Sequence, residues 1–159
     1  MNISVQKTLL ALLLALTSTE VSLSSTERSA LNRVGRLLKR NRDDWQVIQK
    51  SLNEVLEENP TYKQVYLDIL KQLETIDIDT LLDKLPTQEQ LIEELSTEDN
   101  LVYLGSFGGK PERTNNPIQD CFMPVLETSK PDESAKKLTS LNPINIFLKS
   151  KKHEENATL

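Results

Sequence analysis

The chain has 159 residues, 19 Lys+Arg against 24 Asp+Glu, a net charge of −5, an apolar fraction of 37% and an aromatic fraction of 4%, a size that fits one compact domain with room for a tail. One Cys and one His exclude an internal disulfide framework, a cysteine zinc site and a multi-histidine metal site. Four Gly are too few for a Gly-rich β-sandwich or a nucleotide-binding α/β domain.

The most apolar stretch runs from Thr8 to Leu16. It falls far short of the ~20 residues that cross a bilayer. It has the size of a secretory h-region behind one charge, Lys7, so residues 1–24 can be read as the signal peptide of a secreted protein. No Ala-x-Ala cleavage site occurs; Ala15-Leu16-Thr17 and Ser22-Leu23-Ser24 are the only tolerable small-residue pairs. The other reading is a first helix with Val5, Leu9, Leu12, Leu13 and Leu16 on one side. Such a helix is apolar nearly all round and must be covered by the rest of the domain. The lone thiol leans against export, and a cytoplasmic location is expected. The sequon Asn156-Ala157-Thr158 matters only for an exported chain.

Ser24-Ser-Thr-Glu27 is a capping box, and Leu31, Val34, Leu37 and Leu38 follow at helical spacing, which predicts a helix over 25–41. Asn41 to Asp44 supply the next stop and cap. Trp45, Ile48, Leu52, Val55 and Leu56 form the stripe of an amphipathic helix ended by Asn59-Pro60. Asn59 caps the next helix, with Pro60 in its first turn, where a missing N–H costs nothing. Tyr62, Val65, Tyr66, Ile69, Leu70 and Leu73 form that helix's stripe. Asp77 or Asp79 opens a short helix through Leu85, which Pro86 breaks, and Thr87-Gln-Glu-Gln90 is a second capping box leading to Leu91, Ile92 and Leu95. The expected fold class is all-α. Residues 1–99 make a small bundle of five or six helices.

Beyond Asn100 the pattern changes. Leu101-Val-Tyr-Leu104 and Gly105-Ser-Phe-Gly-Gly109 are followed by Pro111, Pro117, Pro124, Pro131 and Pro143. Residues 100–159 are therefore expected to be a flexible, Pro-punctuated and largely disordered tail. Two apolar islands interrupt it, 118–126 and 141–148; they can be short docking motifs for a partner or, equally, collapsed extensions packed on the bundle, and Ile144, Ile146 and Phe147 of the second are the candidate docking residues.

The chemistry-bearing patterns are weak. Gly105–Lys110 departs from a phosphate loop, because Leu104 stands where the first Gly belongs and Pro111 follows the Lys. Asp77, Asp79 and Asp83 hold positions 1, 3 and 7 of a calcium loop, but Leu82 and Gln88 replace its Gly and Glu. Cys121 has no base nearby except Asp120, and His153 sits in a polar C-terminal run, so no nucleophile–base pair can be assembled. No metal or cofactor is implied, and no enzyme is expected.

Charge is the informative feature. Residues 1–42 carry seven cations and two anions, whereas residues 43–99 carry four cations and fifteen anions. Arg33, Arg36 and Arg40 recur at i, i+3 and i+7, flanked by Lys39 and Arg42. This basic helix face is the candidate partner site. It suits an acidic protein surface, which guanidinium groups bind bidentately, or the acidic segments 54–58, 74–83 or 89–99 of a second copy. The alternative is a nucleic-acid-binding regulator that uses the same helix to neutralise phosphates. The bland alternative is a solvated or internally paired face.

Overall fold

The computed structural model describes residues 3–40, 45–96, 117–128 and 130–157, and only the backbone of residues 39, 40, 88, 92, 95, 96 and 151–157. Helix α1 (Ile3–Leu16) has no polar side over its second half: every residue from Leu9 to Leu16 is buried. A helix of this kind offers no face to water, so other elements must surround it. Helices α4 (Pro60–Glu74), α7 (Pro117–Leu126) and α8 (Pro131–Lys137) do so. The Tyr62 hydroxyl of α4 donates to the Leu12 carbonyl at 3.1 Å, which gives its buried phenol a partner.

The remaining described elements are α2 (Ser25–Arg40), α3 (Trp45–Glu58), α5 (Ile78–Asp83), α6 (Gln88–Ser96), a 3-10 turn over Thr139–Leu141 and α9 (Asn142–Ala157). The described residues contain no strand, and the all-α expectation agrees with this. Six of the helices lie within residues 3–96.

Local chemistry places the helix starts. Glu27 N–H donates to Ser24 Oγ at 3.2 Å and Ser24 N–H to Glu27 Oε1 at 2.8 Å, closing the first capping box. Thr87 and Gln90 close the second in the same way, at 2.8 and 3.2 Å. Asn59 accepts from Tyr62 N–H at 3.0 Å, with Pro60 at the first helical position. Its amide also donates to the Ser22 carbonyl at 2.9 Å and to Glu27 Oε1 at 3.2 Å. The C-terminus of α3 therefore lies beside the N-terminus of α2, and the two helices form an antiparallel hairpin.

Within the expected tail, the two apolar islands pack onto the body as collapsed extensions. Ile118, Cys121, Phe122, Val125 and Leu126 of α7 are core residues, joined by Leu138, Leu141, Ile144 and Leu148. Their spacing in α7 is i, i+3, i+4, i+7 and i+8, a helical stripe. Pro117 sits at the N-terminus, where it is tolerated. Pro124 removes the N–H that would reach the Asp120 carbonyl, and α7 ends two residues later. Residues 100–116, with Leu101–Leu104 and Gly105–Lys110, lie outside the described residues.

A polar clasp ties this returning segment to the α1–α2 connection. Asp132, buried, accepts from Leu23 N–H at 3.1 Å and from Arg28 Nε and Nη2 at 3.0 and 3.2 Å. Lys136 Nζ donates to the Val21 carbonyl. The Asn32 amide donates to the carbonyls of Leu126 and Thr128, both at 2.7 Å. Burial alone pushes the Asp132 carboxyl up, but the hydrogen bonds from Arg28 and Leu23 and the charges of Arg28 and Lys136 outweigh it and hold it below the usual carboxylate range.

A Cβ on Gly35 would meet Leu126 Cβ at 3.0 Å, so Gly35→Ala, which at an open helix position gains about 1 kcal/mol, is expected to lower stability by about 1 kcal/mol or more; denaturant unfolding measures the sign. Asp132→Ala leaves the Leu23 N–H and the Arg28 guanidinium uncompensated and is expected to cost about 3 kcal/mol. A carboxyl whose folded pKa is depressed stabilises above its unfolded pKa, and that contribution is lost as pH falls through the folded value. The difference in melting temperature between wild type and Asp132→Ala should therefore be full at neutral pH and shrink below about pH 4.

Candidate functional site

Helix α2 divides its residues by register. Leu31, Val34, Gly35 and Leu38 face the core, and Ser29, Arg33 and Arg36 face outward. Among the described residues Arg33 and Arg36 have no ion-pair partner. Arg28, on the same helix, differs: it is bound bidentately by Asp132, and Glu133 stands 3.6 Å from its Nη2. The basic helix thus holds two kinds of arginine, one stitched to α8 and two open to solvent. Lys39 and Arg40 continue α2, but their side chains are outside the described residues, as is the whole of Arg42.

The tail candidates separate. Ile144 is fully buried and belongs to the core, which corrects its assignment as an open docking residue. The reason is helical register: Ile144 and Leu148 share the inward side of α9. Phe147 is half-buried, with Lys84 Nζ 4.4 Å above its ring, a cation–π contact made within the chain. Ile146 points away and is 65% exposed. The start of this segment is fixed by Glu94, whose carboxylate accepts from Thr139 N–H at 2.8 Å, Thr139 Oγ1 at 3.1 Å and Ser140 N–H at 2.9 Å. Beside α9 lies a groove of about 670 Å³, lined by residues including Leu14, Thr17, Ile69, Asn145 and Ile146.

Cys121 is buried, its thiol donates to the Pro86 carbonyl at 3.3 Å, and burial pushes its pKa up to about 12, with the Asp120 charge adding to the shift. A thiol held in its neutral form is a poor nucleophile. Asp77, Asp79 and Asp83 are exposed around α5, and Asp77 is its N-cap residue without a side-chain capping bond. Among the described residues no group of three or more His, Cys, Asp or Glu is placed to hold a metal ion. No helix among them is long and apolar enough to cross a membrane.

No family model matches the chain, and no significant similarity to a curated protein or to a solved structure is found.

Helical spacing alone assigns the arginine stripe but not the division within it. The signal for Arg28's separate role is its long-range partner, Asp132, 104 residues away in sequence; nothing local to α2 announces it. The burial of Cys121 has a direct test. A disulfide-exchange reagent near pH 8 should modify the folded protein about a hundredfold more slowly than the denatured chain, and comparable rates in the two states would contradict the packing of α7.

Proposed function

We propose that the protein is a non-enzymatic helical interaction module with a regulatory or adaptor role, and that it docks an acidic protein surface on the outer face of α2. The observation that carries this reading is the pair Arg33 and Arg36, exposed and without ion-pair partners among the described residues, on a helix whose Arg28 is already satisfied within the chain. Arg40 continues their stripe by spacing, with Lys39 and Arg42 beside it. Planar guanidinium groups one turn apart suit carboxylates, which they bind through paired hydrogen bonds. Docking by exposed charge speeds encounter and selects among partners more than it adds affinity, which suits a reversible module.

A protein surface fits better than nucleic acid, because the hairpin that presents the arginines also carries Glu54, Glu57 and Glu58, which would repel a phosphate backbone. Retention of α1 is part of the same proposal: its residues from Leu9 to Leu16 belong to the buried core, cleavage after residues 17–24 would remove them, and a cytoplasmic location goes with their retention.

Co-purification from the native cell, at low and high salt, tests the proposal. Wild type should retain an acidic protein at low salt and lose it at high salt, and Arg33→Glu/Arg36→Glu/Arg40→Glu should lose it at both while its helical circular dichroism stays unchanged. An unchanged set of bound proteins would overturn the reading. Captured nucleic acid instead of protein would replace it with the phosphate-binding alternative.

A further inference from the structure

We infer that the acidic surface met by the arginine face is the α3 face of a second copy of this chain, so that two copies pair through their α2–α3 hairpins about a two-fold axis. The inference rests on the docking role proposed for α2 and names its partner.

The hairpin is antiparallel, because Asn59 at the end of α3 bonds Ser22 and Glu27 at the start of α2. Its outward residues sort by sign along its length. At the end where α3 finishes and α2 begins, the exposed residues are Ser25, Thr26 and Ser29 of α2 and Asn53, Glu54, Glu57 and Glu58 of α3. Toward the other end they are Arg33 and Arg36 of α2 and Gln46, Val47, Gln49 and Lys50 of α3. Among the described residues, the exposed side chains of the two helices thus place no acid in the basic half and no base in the acidic half. The one described ion pair on them joins Glu57 to Lys63 of α4 at 3.2 Å, between side chains that are 72% and 44% exposed, and a pair so open to water is easily exchanged.

At 1.5 Å rise per residue the two charge centres lie about 10 Å apart along the hairpin. A surface with one sign at each end is complementary to itself after a half-turn: the basic half of each copy meets the acidic half of the other, and both contacts form at once. The other acidic segments fit less well. Glu94 is engaged by Thr139 and Ser140, and Glu74 to Asp83 lie on α4 and α5, away from α2. Of the acidic segments considered, α3 is the one joined with the arginine helix in a single hairpin, and a reciprocal contact requires acid and base on one such unit.

Charge reversal with full-length protein tests this. Sedimentation of the wild type should show a monomer–dimer equilibrium at about 50 mM salt that shifts to monomer at about 500 mM. Arg33→Glu/Arg36→Glu alone, and Glu54→Lys/Glu57→Lys alone, should each weaken the dimer about tenfold or more. Mixing the two variants should restore a heterodimer, because one then carries acid in both halves and the other base in both. Dimers that persist in either variant, or a mixture that stays monomeric, overturn the inference. A wild type that is monomeric at low salt also overturns it, whether or not the variants fold; if co-purification still shows an arginine-dependent acidic partner, docking by α2 stands and only self-pairing falls.

Discussion

The structure depends on one constraint: α1 has to be enclosed. From Leu9 to Leu16 every side chain is apolar and every residue is buried, so no rotation of this helix would let it sit at a surface without exposing leucine. Each fully buried Leu gains about 1.5–3 kcal/mol relative to exposure, and the gain is realised only if the cover is complete. Helix α4 covers one side, and α7 and α8 complete the enclosure. The packing of α7 and α8 onto α1 is a consequence, because among the described residues the helices before residue 97 do not enclose α1 by themselves.

This also accounts for what the sequence disclosed and what it hid. The caps of α2, α4 and α6 were readable because each depends on residues three or four apart: Ser24 with Glu27, Asn59 with Tyr62, Thr87 with Gln90. The stripes of α2, α3 and α4 were readable for the same reason. The role of α7 was obscured by Pro117 and Pro124, which suggest a broken tail when counted as composition. Read by position, one is a helix start and the other helps to end the helix, and the stripe from Ile118 to Leu126 becomes visible. The h-region composition of α1 was ambiguous for a deeper reason. A segment that enters a membrane channel and a helix buried on every side are both chosen for lacking a polar face, and only the surroundings tell them apart.

The arginines were legible as a stripe but not as individuals. Helical spacing assigns Arg33 and Arg36 to one face, whereas the fate of Arg28 depends on Asp132, which the fold brings from α8. Asp132 is enclosed, and burial alone would push its carboxyl up; the Arg28 guanidinium and the Leu23 N–H hold it down. Arg28 is thus committed to holding α8 against the α1–α2 connection. Arg33 and Arg36 have no comparable obligation: the fold keeps its shape whether or not they find carboxylates.

That difference separates structural charge from charge available for recognition. A paired, enclosed ion changes stability when removed, because its partner is left unsatisfied. An exposed one changes stability little but alters the field at the surface. The outer face of the hairpin carries the second kind, with base toward one end and acid toward the other on adjacent helices. If those charges served solubility only, intermixing them would do as well and would avoid the mutual repulsion of Glu54, Glu57 and Glu58 within one and a half turns of helix. Their segregation costs the folded monomer a little and gives it a directional surface, and a directional surface is useful only when something complementary is set against it.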